Sequence, residues 1–116
     1  MKKIYYLSSC STCQAIIKST QIDKKGFIMQ DIKTEKITAT QIYEMKKMAG
    51  SYEALFSRRA LKYKAWGLKE KQLSAMEYRK YILEEYTFLK RPVVIIDNQI
   101  FVGNDAKNLA ALKKAV

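Results

Sequence analysis

The chain has 116 residues, 48% of them hydrophobic, with one proline and four glycines, a composition suited to one ordinary domain that buries a core without disulfide staples. Two cysteines and no histidine exclude a spread disulfide framework, a four-ligand zinc site supplied by this chain alone, and every Ser-His or Cys-His mechanism. Basic residues number 22, four of them Arg, against 11 acidic ones, for a formal charge of +11. That field favours anionic partners in general, but the lysines are scattered without an aromatic and basic repeat, so direct nucleic-acid binding is not expected.

Along the chain, Met-Lys-Lys-Ile-Tyr-Tyr-Leu-Ser-Ser-Cys has an apolar run too short for a signal peptide or a membrane span. The protein is therefore expected in the cytoplasm. Residues 3–7 are rich in β-formers and stop at Ser8-Ser9, which predicts a short buried strand feeding a turn. From Thr12 to about Ser19, the spacing of Cys13, Ile16, Ile17 and Thr20 predicts a helix with Cys10 at its N-terminal mouth. Gly26 to Ile32 reads as a second strand, making a right-handed crossover with a parallel pair.

The middle of the chain has no convincing strand and several helix signals. Ile42, Met45 and Ala49 mark a face ended by Gly50. Ser51 is placed to cap a short helix carrying Tyr52, Leu55 and Phe56, and a further run from Arg58 stops at Gly67. Ser74 with Glu77 forms a capping box for a helix on which Tyr78, Ile82 and Tyr86 fall at i, i+4 and i+8. From Pro92 the period changes to two apolar runs hinged at Asp97-Asn98, a β-hairpin, after which Asn104 and Asp105 start a closing helix with Leu109, Leu112 and Val116 on one face. No heptad run or long apolar stripe is present, so a monomer is expected.

A cysteine between a strand and a helix start gains from unpaired N–H groups and the positive helix end, which favour thiolate over thiol. Cys10 is therefore the candidate nucleophile. Cys13, one turn further in, is within disulfide reach and could resolve an intermediate, or it could be a small buried hydrophobe.

Several blocks in order, Tyr-Leu-Ser-Ser-Cys10-Ser-Thr-Cys13-Gln-Ala, Leu55-Phe-Ser-Arg-Arg59, Tyr63 to Leu68, and Arg91-Pro92-Val-Val-Ile-Ile-Asp followed by Val-Gly103-Asn, resemble the arsenate reductase ArsC/Spx family over most of the chain. The resemblance implies an α/β fold: a thioredoxin-like core with a mixed sheet over about 1–36 and 89–116, carrying an all-helical insertion over about 37–88. It also implies that Cys10 is the redox-active cysteine, that Arg91 lies near its thiol, that Pro92 is a cis proline, and that Arg59 helps bind an oxyanion. Guanidinium groups lower a nearby thiol pKa and fork onto tetrahedral oxyanions, which gives those roles a physical basis. Arg58, Arg59 and Arg91 also have bland readings as surface charges.

No bound cofactor or metal is expected, and glutathione with glutaredoxin, or thioredoxin, is the implied reductant. The classical arsenate reductase pattern is incomplete here. Ser8-Ser9 replace its His-containing lead-in, and Val102-Gly103-Asn104 stands where a third arginine is usual. The Cys-X-X-Cys and the Val-Gly-Asn ending resemble the Spx side of the family, redox-sensitive partners of RNA polymerase, which carry a partner-contacting glycine near the position of Gly50. Three functions follow from the resemblance: an arsenate reductase-like thiol oxidoreductase, an Spx-like regulator switched by a Cys10–Cys13 disulfide, or a member that keeps the fold with an inert thiol. The low-molecular-weight phosphatase loop is excluded, because Ile16 stands where that loop needs an arginine.

Overall fold

A computed structural model describes residues 1–116, with elements in the order β1 (Lys2–Tyr6), α1 (Ser11–Thr20), β2 (Ile28–Asp31), α2 (Ala39–Ala49), α3 (Leu61–Ala65), α4 (Ala75–Glu84), β3 (Val93–Ile96), β4 (Gln99–Val102) and α5 (Ala106–Ala115). Two compact units result, one made of Met1–Lys36 with Arg91–Val116 and the other of Ile37–Lys90. The helical unit runs on through Lys90. Leu89 bridges Phe56 and the Lys90 N–H donates to the Leu55 carbonyl at 2.8 Å, which ties both residues to the helical unit.

The first unit is a mixed α/β, thioredoxin-like fold. Its sheet has the order β2-β1-β3-β4. β2 is parallel to β1, β3 runs antiparallel to β1, and β3 and β4 form the hairpin. Ile4 faces Met29 on one side and Val94 on the other, and Val94 faces Phe101. With side-chain direction alternating along each strand, these residues share one face, and they cluster with Ile16 of α1 and Leu112 of α5. β2 is shorter than the apolar pattern predicts, because Gly26 has φ of 80°, a left-handed conformation no strand accommodates. Asp97, at φ 53°, supplies the hairpin turn.

The second unit is helical apart from the single Phe56–Leu89 bridge. Thr38 caps α2 and Ser74 caps α4, each through a capping box completed by Gln41 and Glu77 respectively. Phe56 is the hub of its core, with ring centroids 5.0 Å from Tyr78, 5.0 Å from Phe88 and 5.8 Å from Tyr63. Two expectations change here. α4 ends at Glu84, so Tyr86 leaves the helical face and opens a 3₁₀ turn, Tyr86–Phe88. The helix expected from Arg58 begins only at Leu61, where it forms one short turn without buried residues. No helix in the chain is long and apolar enough to cross a membrane.

Candidate functional site

The parallel pairing of β1 with β2 and the antiparallel pairing of β1 with β3 bring three chain segments to one end of the sheet. Tyr6 at the end of β1 lies opposite Asp31 at the end of β2, and Tyr5 lies opposite Val93 at the start of β3. The turn after β1 carries Cys10, and the residues before β3 are Arg91 and Pro92. The Cys10 N–H closes that turn onto the Leu7 carbonyl at 3.0 Å, and the Cys10 carbonyl accepts the Gln14 N–H at 3.1 Å. Cys10 is thus the N-cap residue of α1, with φ −91° and ψ 115°. The first turn of α1 has no acidic residue to offset the positive helix end, which therefore favours an anion there.

The two thiols are tuned in opposite directions. Burial opposes ionisation of Cys10, but the Cys13 N–H, the Cys13 thiol, the Thr12 N–H and the Arg91 charge outweigh it and hold the Cys10 pKa below its ordinary value. Cys13 is fully buried, because its spacing with Ile16 and Thr20 turns it to the apolar side of α1. Burial chiefly, helped by the negative charge of Cys10 and the hydrogen bond its own thiol donates to that sulfur, pushes Cys13 up to about 11, against the Leu7 N–H and Arg91. Both cysteines are free thiols. Arg91 acts on both through its charge, so Cys10, Cys13 and Arg91 are brought together.

The Arg91–Pro92 peptide bond is cis, and the Pro92 carbonyl accepts the Gly103 N–H at 2.9 Å. Gly103 has φ of 84°, and its own carbonyl accepts from the Asn108 side chain at 2.8 Å. The Val102-Gly103-Asn104 segment therefore secures the proline that follows Arg91.

Of the neighbouring arginines in the helical unit, Arg58 is committed. It donates to the Tyr78 hydroxyl at 2.9 Å and pairs with Glu53 at 2.8 Å. Arg59 is exposed, and its side chain has no hydrogen bond or ion pair within the chain. Gly50 is exposed with nothing within 4 Å of where a Cβ would stand, and its φ of 99° makes it the left-handed cap of α2.

Sequence reasoning does not find the support of the turn itself. The neighbouring Ser8 holds the Asp31 carboxyl below its ordinary pKa, and the Gln14 side-chain amide donates to the Ser8 carbonyl. Asp31 lies 21 positions before Tyr52 and far from any cysteine in sequence; only the strand register places it beside Ser8. No group of three or more Cys, Asp or Glu side chains is gathered where it could hold a metal ion.

Comparison with known proteins matches the fold and the chain. An arsenate reductase from Vibrio cholerae is similar with TM-score 0.79 and 14% identity, covering 99% of this chain and 97% of that one. An arsenate reductase (ArsC) related protein from Brucella melitensis is similar with TM-score 0.69 and 20% identity, covering 95% and 92%. A possible arsenate reductase from Streptococcus mutans reaches 26% identity with TM-score 0.71, covering 95% and 98%. No curated protein matches the chain. The sequence profile of the ArsC family matches residues 5–112, nearly the whole length, and the chain belongs to the ArsC family.

Proposed function

We propose that the protein is an arsenate reductase-like thiol oxidoreductase in which Cys10 is the nucleophile and Cys13 or glutathione resolves the intermediate. The observation that carries this reading is the opposite tuning of two thiols one helical turn apart. Cys10 has its pKa lowered, while Cys13 is held protonated. A depressed pKa puts the attacking thiolate at hand near neutral pH.

With arsenate as substrate, the Cys10 thiolate attacks arsenic, an As–S bond forms, an As–O bond breaks, and the departing hydroxyl takes a proton from solvent and leaves as water. Arg91 supplies charge for the oxyanion, and the family resemblance assigns a like role to Arg59, whose guanidinium is uncommitted. A second thiolate then attacks Cys10 Sγ. The S–S bond forms, the As–S electron pair passes to arsenic, and arsenic(V) departs as arsenite. Glutathione with glutaredoxin, or thioredoxin, reduces the disulfide and closes the cycle.

The tuning also orders the two steps. Two of the effects that raise the Cys13 pKa come from Cys10, namely its negative charge and its acceptance of the Cys13 proton. Once Cys10 is an adduct, both vanish and Cys13 ionises more readily. Being fully buried, Cys13 has the Cys10 sulfur as its electrophile rather than a solution reagent.

A second reading, an Spx-like redox-sensitive partner of RNA polymerase, is favoured by the exposure of Gly50. The same position also needs glycine for its φ of 99°, so the glycine itself has a purely structural reason as well. Arsenate-dependent NADPH consumption, coupled through glutaredoxin or thioredoxin beside a Cys10→Ser control, tests the reading. Turnover that depends on Cys10 is the expected result. No turnover with either reductant, while a reversible Cys10–Cys13 disulfide still forms, overturns it in favour of the regulator.

A further inference from the structure

The antiparallel pairing of β3 with β4 is incomplete at the end nearest Cys10. Its register, Val93 with Val102 and Val94 with Phe101, continues by one residue to Pro92 and Gly103. In an antiparallel ladder the two residues of such a pair exchange both N–H to carbonyl bonds. Gly103 gives its half, its N–H donating to the Pro92 carbonyl at 2.9 Å. Pro92 has no N–H to return. The Gly103 carbonyl therefore lacks its ladder donor, and Gly103 is buried, where an unpaired backbone group is costly.

The Asn108 side-chain amide takes the place of that donor, reaching the Gly103 carbonyl at 2.8 Å. Asn108 is itself fixed at both ends of its turn. The Asp105 carboxylate accepts its N–H at 2.9 Å, as the cap of α5. Four residues on, Leu112 is fully buried in the core that holds Ile4, Val94 and Phe101. Gly103, at φ 84°, has no side chain of its own to restrain its peptide groups. The bond from Asn108 supplies that restraint and steadies the residue whose N–H holds Pro92.

We propose that Asn108 is a positioning residue for Arg91, standing in for the N–H that Pro92 lacks and so fixing the start of β3, where Arg91 presents its charge to an anion at Cys10. The proposal rests on the reading of Cys10 and Arg91 as a pair that handles an anion, and it adds a residue of α5 that no cysteine or arginine motif contains. The sheet register supports the link. Tyr5 lies opposite Val93, two residues after Arg91, and two residues beyond Tyr5 the Leu7 carbonyl accepts the Cys10 N–H at 3.0 Å. The Arg91 charge acts on Cys10 across that end of the sheet.

The test compares two alkylating reagents of similar size on the full chain at about pH 7 and low salt, with the labelled cysteine identified by mass spectrometry. Iodoacetate is an anion and iodoacetamide is neutral. The ratio of their rates at Cys10 reads the local positive charge, while the thiolate content divides out. Arg91→Ala lowers the ratio. Asn108→Leu and Asn108→Ala, which lose the donor, lower it about two- to fivefold. Asn108→Gln keeps a donor and stays closer to the native ratio. Arg91→Ala with Asn108→Leu falls no further than Arg91→Ala alone.

Native ratios in Asn108→Leu and Asn108→Ala overturn the proposal even where these variants melt at lower temperature, since a purely structural role moves the melt and not the ratio. So does a further fall in the double variant, which takes the effect away from Arg91. Should Arg91→Ala fail to fold, Asn108→Leu against Asn108→Gln decides alone, and equal ratios in those two overturn the proposal. A ratio that Arg91→Ala leaves unchanged overturns the anion reading of Arg91 and the proposal with it. A ratio lowered by Arg91→Ala but by no Asn108 variant overturns only the positioning role.

Discussion

Replacing Cys13 by Ala should flatten the alkaline stability profile of this protein, and the size of the effect follows from the burial of one thiol. Cys13 is fully buried and its pKa is pushed from the ordinary 9.0 up to about 11. Between those values the unfolded chain has released the Cys13 proton while the folded chain keeps it. The folded state then binds more protons, so stability is full below the unfolded value and falls as pH rises through the folded one. Two pKa units correspond to about 3 kcal/mol in full. About 2 kcal/mol of it is lost between pH 9 and 11, since each state is half-titrated at one end of that window.

Cys10 is present in both proteins, so its ionisation is largely common to the two and drops out of the comparison. Urea unfolding at pH 9 and 11 under a phosphine reductant measures the effect. The native sequence should lose about 2 kcal/mol more than Cys13→Ala across that interval. Equal losses in the two proteins would refute the reasoning, since Cys13 would then titrate in the fold as it does in the unfolded chain and could not be the protonated thiol held in reserve beside Cys10.

The paired arginines should separate cleanly. Arg58→Ala leaves the buried Tyr78 hydroxyl without its donor at 2.9 Å and should cost about 1–2 kcal/mol in thermal or urea unfolding, most of it from that hydrogen bond, because the half-exposed ion pair with Glu53 is screened. Arg59→Ala should unfold within about 0.5 kcal/mol of the native sequence yet lose about tenfold in turnover at low arsenate; the reverse pattern would assign the anion to Arg58. Ser74→Ala should cost about 1 kcal/mol through the lost α4 cap. Glu77, whose pKa the Ser74 N–H holds below the ordinary value, contributes above its unfolded pKa and less as pH falls through the folded one; that N–H is main chain and survives in Ser74→Ala, so the gap between the thermal melts of the two proteins at pH 7 should largely persist at about pH 3.

Local signals carried the elements because each had one dominant cause. The Ser74-Glu77 spacing is a capping box in the structure, the Asp97-Asn98 hinge is the hairpin turn, and Gly50 ends α2 in the left-handed conformation. The misplacements arose where a long-range contact decides. The chain leaves α4 after Glu84, where Glu85 takes an extended conformation and its carboxylate accepts from the ammonium of Lys62, 23 positions away in sequence, so Tyr86 is drawn off a face that its spacing alone would keep. The segment after Phe56 is held extended by the bridge to Leu89, with the Ser57 N–H on the Phe88 carbonyl at 2.6 Å. That delays α3 past Arg58 and Arg59, and no pattern within residues 58–67 encodes it.

The site shows the same division in sharper form. Cys10 at a helix mouth is legible from a strand, two serines and a helical period, but Asp31 is not, because its place beside Ser8 depends on the register of a parallel pair that no local pattern fixes. For Cys13 the sequence offers two readings, a resolving thiol and a small buried hydrophobe, that look like rivals. Under the proposed mechanism the second is the condition of the first. The burial that qualifies Cys13 as a core residue of α1 is the main cause of its raised pKa, and a thiol so held neither competes with Cys10 for solution electrophiles nor repels it as a second anion. The remaining causes of that raised pKa belong to the Cys10 thiolate and disappear when Cys10 reacts. A thiol more exposed than Cys13 would ionise beside Cys10 at the outset and raise the pKa of the nucleophile by like-charge repulsion; burial at one helical turn's distance avoids this and lets the first covalent step prepare the second.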